Sequence, residues 1–169
     1  DAARGSYALG PMSNIAPGSV TAYLINEEGE LELVGDVARR FGLTADGGTA
    51  GGRSLLYVVR FPDGELRVFS GASTHLGRVV VWIPERSLWG TGDHVGLFVE
   101  LSHSEQWTID GTRIFGPPPR NLDQYRWHLD GGVLIVELGE LERGERDGLA
   151  PPPYDVTSEG WATSGWPSN

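Results

Sequence analysis

Short apolar runs, separated by turn residues, recur along the chain about every eight to twelve positions. The runs are rich in Val, Ile, Tyr, Phe and Trp, and helical periodicity is scarce. This pattern predicts an antiparallel all-β domain, because β-branched and aromatic side chains fit the half-buried surface of a sheet. The predicted strands are Ser19–Ile25, Leu31–Val34, Ser54–Phe61, Leu66–Ser70, Val79–Ile83, Val95–Glu100, Gln106–Ile109, Gln124–Leu129 and Val133–Leu138.

Two turns and one short helix complete the predicted elements. Pro62–Glu65 and Asp130–Gly132 contain residues that tolerate positive φ between alternating apolar runs, so each predicts a β-hairpin. The helix is predicted at Val37–Phe41, where Asp36 can serve as the N-cap and Gly42 can end the helix in the left-handed conformation.

The composition excludes several classes of chemistry. The chain has 169 residues and no cysteine, which excludes disulfides, a catalytic cysteine, a zinc ribbon and an iron–sulfur cluster held by its own thiolates. Its basic residues are all arginine, which excludes Schiff-base and P-loop lysine chemistry. The net charge of -10 leaves no basic footprint for a nucleic-acid backbone, so we expect no nucleic-acid partner.

The chain is predicted to contain one domain, residues 1–143, followed by a Pro- and Trp-containing tail, residues 144–169. Two interpretations of Trp161 and Trp166 stay open: they pack back on the domain's own sheet, or they dock on a partner. No stretch reaches the roughly 18 apolar residues of a spanning helix, and no signal peptide opens the chain. We therefore expect a soluble, processed piece.

Four motifs between Tyr57 and Leu138 carry a family resemblance. They are Ser73-Thr74-His75-Leu76-Gly77-Arg78, Glu100-Leu101-Ser102-His103-Ser104, Asp110-Gly111, and Gly116-Pro117-Pro118-Pro119 followed by Leu122 and Tyr125. In order and spacing they resemble the Rieske iron–sulfur domain, especially the type found in quinol-oxidising respiratory complexes. The resemblance implies an antiparallel β sandwich or barrel as a base domain, with a small loop-rich subdomain inserted at about residues 71–119.

The resemblance also identifies the positions of the cluster ligands. The two histidine ligands of the family fall on His75 and His103, and both are present. The two thiolate ligands fall on Ser73 and Glu100, and neither a serine hydroxyl nor a lone carboxylate is an equivalent soft donor for the second iron. We therefore expect a Rieske-like fold with no [2Fe–2S] cluster and no other resident cofactor.

Three further family positions are also substituted. The two cysteines that form the loop–loop disulfide in the respiratory subfamily fall on Arg78 and Ser102. The glycine that follows the second histidine falls on Ser104. The resemblance therefore implies that the two loops face each other, but that something other than a disulfide joins them.

Two interpretations of the retained histidines compete. In the first, His75, His103 and Glu100 bind a single Zn, Fe, Mn or Cu ion at the former cluster position. In the second, the histidines form hydrogen bonds between two touching loops, and Arg78 or Glu100 makes an ion pair there. We favour the second interpretation and keep the first as the alternative.

The leading functional hypothesis is a cluster-less, extracytoplasmic Rieske-like protein. It would act as a non-catalytic structural or docking subunit, with other protein subunits of a redox or membrane complex as its partners. It would reach the membrane only through a partner or a lost N-terminal anchor, and we do not expect an enzyme. The alternative is a mononuclear redox or catalytic metal protein that uses His75, His103 and Glu100.

Two other histidines receive structural interpretations. His94 precedes a predicted strand and is expected to be an exposed loop residue, with a role as a third imidazole ligand as the weaker alternative. His128 alternates with Trp127 and Leu129, so a half-exposed position on a sheet explains it.

Overall fold

A computed structural model describes residues 5–25, 29–34, 54–84, 96–118 and 120–146. Within these ranges the chain forms β-strands and one short 3-10 turn, Met12–Asn14, and contains no α-helix. The predicted all-β class is confirmed. The strands are β1 (Ser6–Pro11), β2 (Ser19–Ile25), β3 (Leu31–Val34), β4 (Ser54–Arg60), β5 (Leu66–Ser70), β6 (Val81–Ile83), β7 (Leu97–Glu100), β8 (Glu105–Trp107), β9 (Arg113–Phe115), β10 (Gln124–Asp130) and β11 (Val133–Glu142).

The strands form two antiparallel sheets. The larger sheet has seven strands in the order β1-β11-β10-β5-β4-β2-β3, and the smaller has four strands in the order β6-β7-β8-β9. Leu9 on edge strand β1 and Ile25 on β2, near the opposite edge, pack in the same buried cluster. The seven-stranded sheet is therefore curled, so that its two ends enclose a common core.

Strand β4 is buried on both faces, which explains its continuous apolar sequence. Because alternate side chains point to opposite faces, Tyr57 and Val59 belong to the cluster shared with the small sheet. Leu56 and Val58 belong instead to the cluster enclosed by the curled sheet. The strand thus lies between two cores and connects them.

Phe98 on β7 is at the centre of the contact between the two sheets. Its ring centroid lies 5.1 Å from that of Tyr57 and 5.8 Å from that of Phe69, both on the large sheet. Trp82 on β6 packs on it at 4.9 Å. The small sheet is therefore anchored to the large one by aromatic packing.

Both predicted hairpins form. Strands β10 and β11 are joined by Gly131 and Gly132, with φ of 54° and 83°, which is the combination that a type I′ turn requires. In the hairpin of β4 and β5, the carboxylate of Asp63 accepts a 2.9 Å hydrogen bond from the backbone N–H of Glu65. Gly64, with φ of 94°, completes that turn.

Several predicted strands have the observed bounds, and others differ. Strands β2, β3 and β5 begin and end at the predicted residues. Strand β8 begins one residue earlier and ends at Trp107, and β11 continues four residues beyond Leu138. Strands β1 and β9 were not among the predicted strands.

Some predictions lie outside the described residues. These are the helix at 37–41, the loop residue His94, the strand start at Val95 and the tail tryptophans Trp161 and Trp166. A search of the part of the chain that the structure describes finds no helix with the length and apolar character needed to cross a membrane.

Candidate functional site

The first site loop, loop 1, comprises residues 71–80 and leads from β5 to β6. It is closed at its base by the backbone hydrogen bonds Ser73 N–H to Arg78 O, 2.7 Å, and Val80 N–H to Gly71 O, 2.9 Å. Within the loop, Gly77 N–H donates to Ser73 O at 2.9 Å, and Gly77 has φ of 69°, a conformation suited to glycine. These bonds fix the backbone that carries the first histidine motif.

The second site loop, loop 2, comprises residues 101–104 and joins β7 to β8. Glu100 and Glu105 are partners in the ladder, so their backbones stand opposite each other where the loop begins and ends. Ser104 has φ of 55°, and it is the one non-glycine residue with positive φ in the described ranges. The loop therefore turns back at the position that the family resemblance assigns to glycine.

Glu100 holds loop 2 together from inside. Its Oε1 accepts a 3.0 Å bond from the backbone N–H of Ser102 and a second bond from the Ser102 hydroxyl. Its Oε2 accepts a 2.9 Å bond from the backbone N–H of His103 and lies 3.2 Å from His103 Nδ1. Burial raises the pKa of Glu100, but these hydrogen bonds outweigh burial, so the pKa lies below its usual range.

Glu105 joins the two loops. Its side chain, only 1% exposed, accepts a hydrogen bond from the Ser73 hydroxyl on Oε2. Its Oε1 lies 2.8 Å from Nδ1 of His75. A buried carboxylate is stable only where its oxygens are paired, and here both partners come from loop 1.

The two histidines lie side by side. The ring centroids of His75 and His103 are 5.7 Å apart and the rings meet at 80°, edge to face. Their side chains are 32% and 35% exposed. One ligand atom from each of His75, His103 and Glu105 lies within 4.8 Å of the others. The loops thus present two partly exposed imidazoles above a buried carboxylate.

A hydrogen bond joins the loops at Arg78 and Ser102, the two positions that the sequence resemblance assigns to a disulfide. Nη1 of Arg78 donates a 2.8 Å hydrogen bond to Oγ of Ser102. The contact is exposed, whereas the bond from Ser73 to Glu105 is buried and the contact of His75 with Glu105 is partly buried. The loops are therefore connected by a buried carboxylate and by an exposed hydrogen bond.

The segment after β9 supports loop 1 from outside. The Thr74 hydroxyl donates to the backbone O of Arg120 at 2.9 Å, and Nε1 of Trp107 donates to the same oxygen at 3.2 Å. The guanidinium of Arg120 makes two bonds to the carboxylate of Asp123, at 2.9 and 2.8 Å. This bidentate pair raises the pKa of Arg120 and fixes the backbone that holds Thr74.

Only two of the three metal ligands proposed from the sequence belong to the group of possible ligands in the structure. His75 and His103 are neighbours, but the carboxylate in the group of three is Glu105, which the sequence analysis missed. Glu100 contacts His103 and is occupied by the backbone of loop 2. His128 lies apart on β10, more than half exposed, with Nδ1 3.5 Å from Oε1 of Glu137.

The donor set does not fit a [2Fe–2S] cluster. At the positions that the sequence resemblance assigns to thiolates, the Ser73 hydroxyl donates to Glu105, and the Glu100 carboxylate accepts bonds from loop 2. The chain has no cysteine to supply the soft, charged sulfur that a bridged iron pair requires. The side chains of Ser73 and Glu100 bond to other groups of the protein and are therefore not free to act as cluster ligands.

No protein-family model matches the chain, and no curated protein matches it. Solved structures with a similar fold include the apo form of the quaternary ammonium Rieske monooxygenase CntA, 14% identical with a TM-score of 0.48, covering 82% of this chain and 34% of that one. Naphthalene 1,2-dioxygenase with indole bound is 19% identical, with a TM-score of 0.46, covering 89% and 28%.

A third similar structure is smaller than the two oxygenases. It is a putative NADH-dependent nitrite reductase small subunit from Mycobacterium tuberculosis, 11% identical with a TM-score of 0.40, and the match covers 79% of this chain and 94% of that one. By contrast, the present chain spans about a third of the length of the oxygenases.

Proposed function

We propose that this protein is a Rieske-like domain that carries no iron–sulfur cluster and serves as a docking subunit of a redox assembly. One observation carries the proposal: hydrogen bonds within the protein occupy every position where the family has a thiolate or a disulfide. Ser73 bonds to Glu105, Glu100 bonds to loop 2, and Arg78 bonds to Ser102.

This arrangement supports a binding role because it holds the loops in place without a cluster. Ser73 and Glu100, at the positions that the resemblance assigns to thiolates, each have protein partners. Removing Glu105 would leave the buried Ser73 hydroxyl without an acceptor, which is costly. The network therefore maintains the shape of the tip, by which we mean loops 1 and 2 around His75 and His103.

Apolar side chains flank the tip and give it a surface suited to a protein partner. Leu76, next to His75, is 55% exposed, and Phe115 at the end of β9 is 58% exposed. Phe115 is the ladder partner of Gln106, which adjoins Glu105. Exposed leucine and phenylalanine beside a fixed polar network resemble the apolar centre and polar surroundings of a protein interface.

The partner proposed is a protein subunit that carries its own redox cofactor. The extracytoplasmic location and the respiratory type of assembly stay predictions, since they derive from the sequence resemblance alone. No catalytic residue is proposed, because hydrogen bonds within and between the two loops account for the positions of their polar side chains.

The test is affinity purification of the tagged full chain from membranes of its own host. We expect a partner with a haem, flavin or iron–sulfur absorption spectrum to co-purify at about one equivalent. The double variant Leu76→Ser and Phe115→Ser should lose this partner. The matched control, Trp127→Ser and Leu129→Ser, removes exposed apolar groups of β10 and should retain it.

Two results would overturn the docking role. One is the absence of any co-purifying redox protein with the unmodified chain. The other is equal retention of the partner by the loop variant and the β10 variant, which would show that the tip is not the contact surface.

A further inference from the structure

The group formed by His75, His103 and Glu105 suggests a second activity for the same tip, independent of docking. Two imidazoles and one carboxylate are a ligand set typical of Zn²⁺ sites with an open coordination position, and they also suit Fe²⁺, Mn²⁺ and Cu²⁺. We propose that these three side chains bind one divalent transition-metal ion. The carboxylate ligand is Glu105, and Glu100 is not a ligand.

The hydrogen bonds explain why Glu105 is the ligand. Both oxygens of Glu100 accept bonds from backbone N–H groups of loop 2, so a metal ion there would have to displace them. Oε1 of Glu105 faces Nδ1 of His75 at 2.8 Å, so an ion can take the place of the hydrogen bond between these two side chains. No backbone bond is lost in this exchange.

Neighbouring groups already hold the ligands in position. The Ser73 hydroxyl anchors Oε2 of Glu105, and Oε2 of Glu100 lies 3.2 Å from the ring nitrogen Nδ1 of His103. Hydrogen bonds of this kind orient metal ligands and commonly change affinity by about 10–100-fold when removed. Ser73 and Glu100 are therefore positioning residues for the site.

Charge and access also favour a cation. Glu100 and Glu105, the strand residues on either side of loop 2, supply two carboxylates. The two loops contain one guanidinium, that of Arg78, which is bonded to Ser102. The imidazoles are about one-third exposed, while the carboxylate is buried beneath them. An ion can therefore enter from the solvent side and keep a coordination position for water.

The test is a calorimetric titration with Zn²⁺ of the full chain, stripped of metal by a chelator, combined with elemental analysis. The unmodified protein should bind one equivalent. His103→Ala and Glu105→Gln should each weaken binding by more than about 100-fold, whereas Glu100→Gln should weaken it by about 10–100-fold. The matched control is His128→Ala, since His128 also lies beside a glutamate, and it should bind like the unmodified chain.

Circular dichroism establishes that each variant is folded. If Glu105→Gln does not fold, His103→Ala still decides, because its side chain is partly exposed. The proposal is overturned if the unmodified chain binds less than about 0.1 equivalent of Zn²⁺, or if His103→Ala binds as well as His128→Ala. It is also overturned if Glu100→Gln loses more affinity than Glu105→Gln, since Glu100 would then be the ligand.

Discussion

Ser104 has a backbone conformation that is costly for a residue other than glycine. Its φ of 55° lies in the left-handed region, where a Cβ atom is crowded by the neighbouring backbone. A non-glycine residue there typically costs about 1–2 kcal/mol. Loop 2 holds a serine in a conformation that favours glycine, so the rest of the fold offsets that cost.

Replacing Ser104 by glycine should therefore stabilise the protein. We expect Ser104→Gly to raise the free energy of unfolding by about 0.5–1 kcal/mol, because the relief of strain exceeds the extra chain entropy of glycine. Urea denaturation measures the change. Ser6→Gly, in the extended strand β1, is the control and should lower the free energy of unfolding by about the same amount. If both variants changed the free energy of unfolding in the same direction, strain at Ser104 would not be the cause.

Glu100 should make stability depend on pH. Because its pKa is lower in the folded protein than its ordinary value of 4.5, its contribution is fully present above about that pH. The contribution is lost as the pH falls through the folded-state pKa. At neutral pH, Glu100→Gln should cost about 1.5–3 kcal/mol, the range for hydrogen bonds to a charged group.

The measurement is urea denaturation of both proteins in chelator at several pH values. The difference in stability between the unmodified chain and Glu100→Gln should be largest near pH 7 and should narrow below about pH 4.5. A difference that is constant over this range would show that the carboxylate charge does not hold loop 2.

The site residues could be predicted from sequence only where the family resemblance identified them. His75 and His103 were found this way, but Glu105 was assigned no role. The available signal was alternation: Glu105 and Trp107 are both buried on one face of β8, with the less buried Gln106 between them. A charged side chain on the same face as a buried tryptophan requires a partner, yet the sequence does not say which loop supplies it.

The two loops are joined by one buried and one exposed connection. Glu105 is buried and bonds to both Ser73 and His75, whereas the Arg78 to Ser102 bond is exposed to solvent. Exposed polar contacts contribute little, because water replaces them when they break. The buried connection should therefore provide most of the stabilisation between the loops.

Two substitutions measure this difference. Glu105→Ala should cost about 2–4 kcal/mol, because it leaves the buried Ser73 hydroxyl without an acceptor and removes the ring partner of His75. Arg78→Ala should cost less than about 1 kcal/mol. Chemical denaturation gives both values, and an Arg78→Ala cost equal to or above that of Glu105→Ala would contradict the assignment.

Strands with alternating apolar residues were predictable, and two strands of another kind were not. Strand β1 pairs with β11 from the other end of the described chain and contains Gly10 at an irregular register. Strand β9 has three residues, and its apolar residues Ile114 and Phe115 are exposed. In both cases ladder hydrogen bonds define the strand, and a hydrophobic pattern does not reveal them.

The small sheet depends on the large sheet for most of its packing. Phe98 packs against Tyr57 and Phe69 of the large sheet and against Trp82 of its own sheet. A four-stranded sheet of strands this short has little core of its own. The sheet that carries loop 2 should therefore unfold together with the rest of the domain.

Phe98→Ala tests this coupling. It should cost about 3–5 kcal/mol, the usual range for removing a buried aromatic side chain, and thermal unfolding should remain a single transition. Trp127→Ala, at a more exposed position on β10, should cost less than about 1 kcal/mol. A separate early transition for the small sheet would show that the two sheets do not share one cooperative core.

We propose that loops 1 and 2, with His75 and His103 at their exposed ends, form a complete structure without a cluster. The most direct test is the content of iron and acid-labile sulfide in the protein purified anaerobically from its own host. We predict no acid-labile sulfide, even if a single metal ion is present. About two irons and two sulfides per chain, with the electron paramagnetic resonance signal of a reduced cluster, would contradict the account.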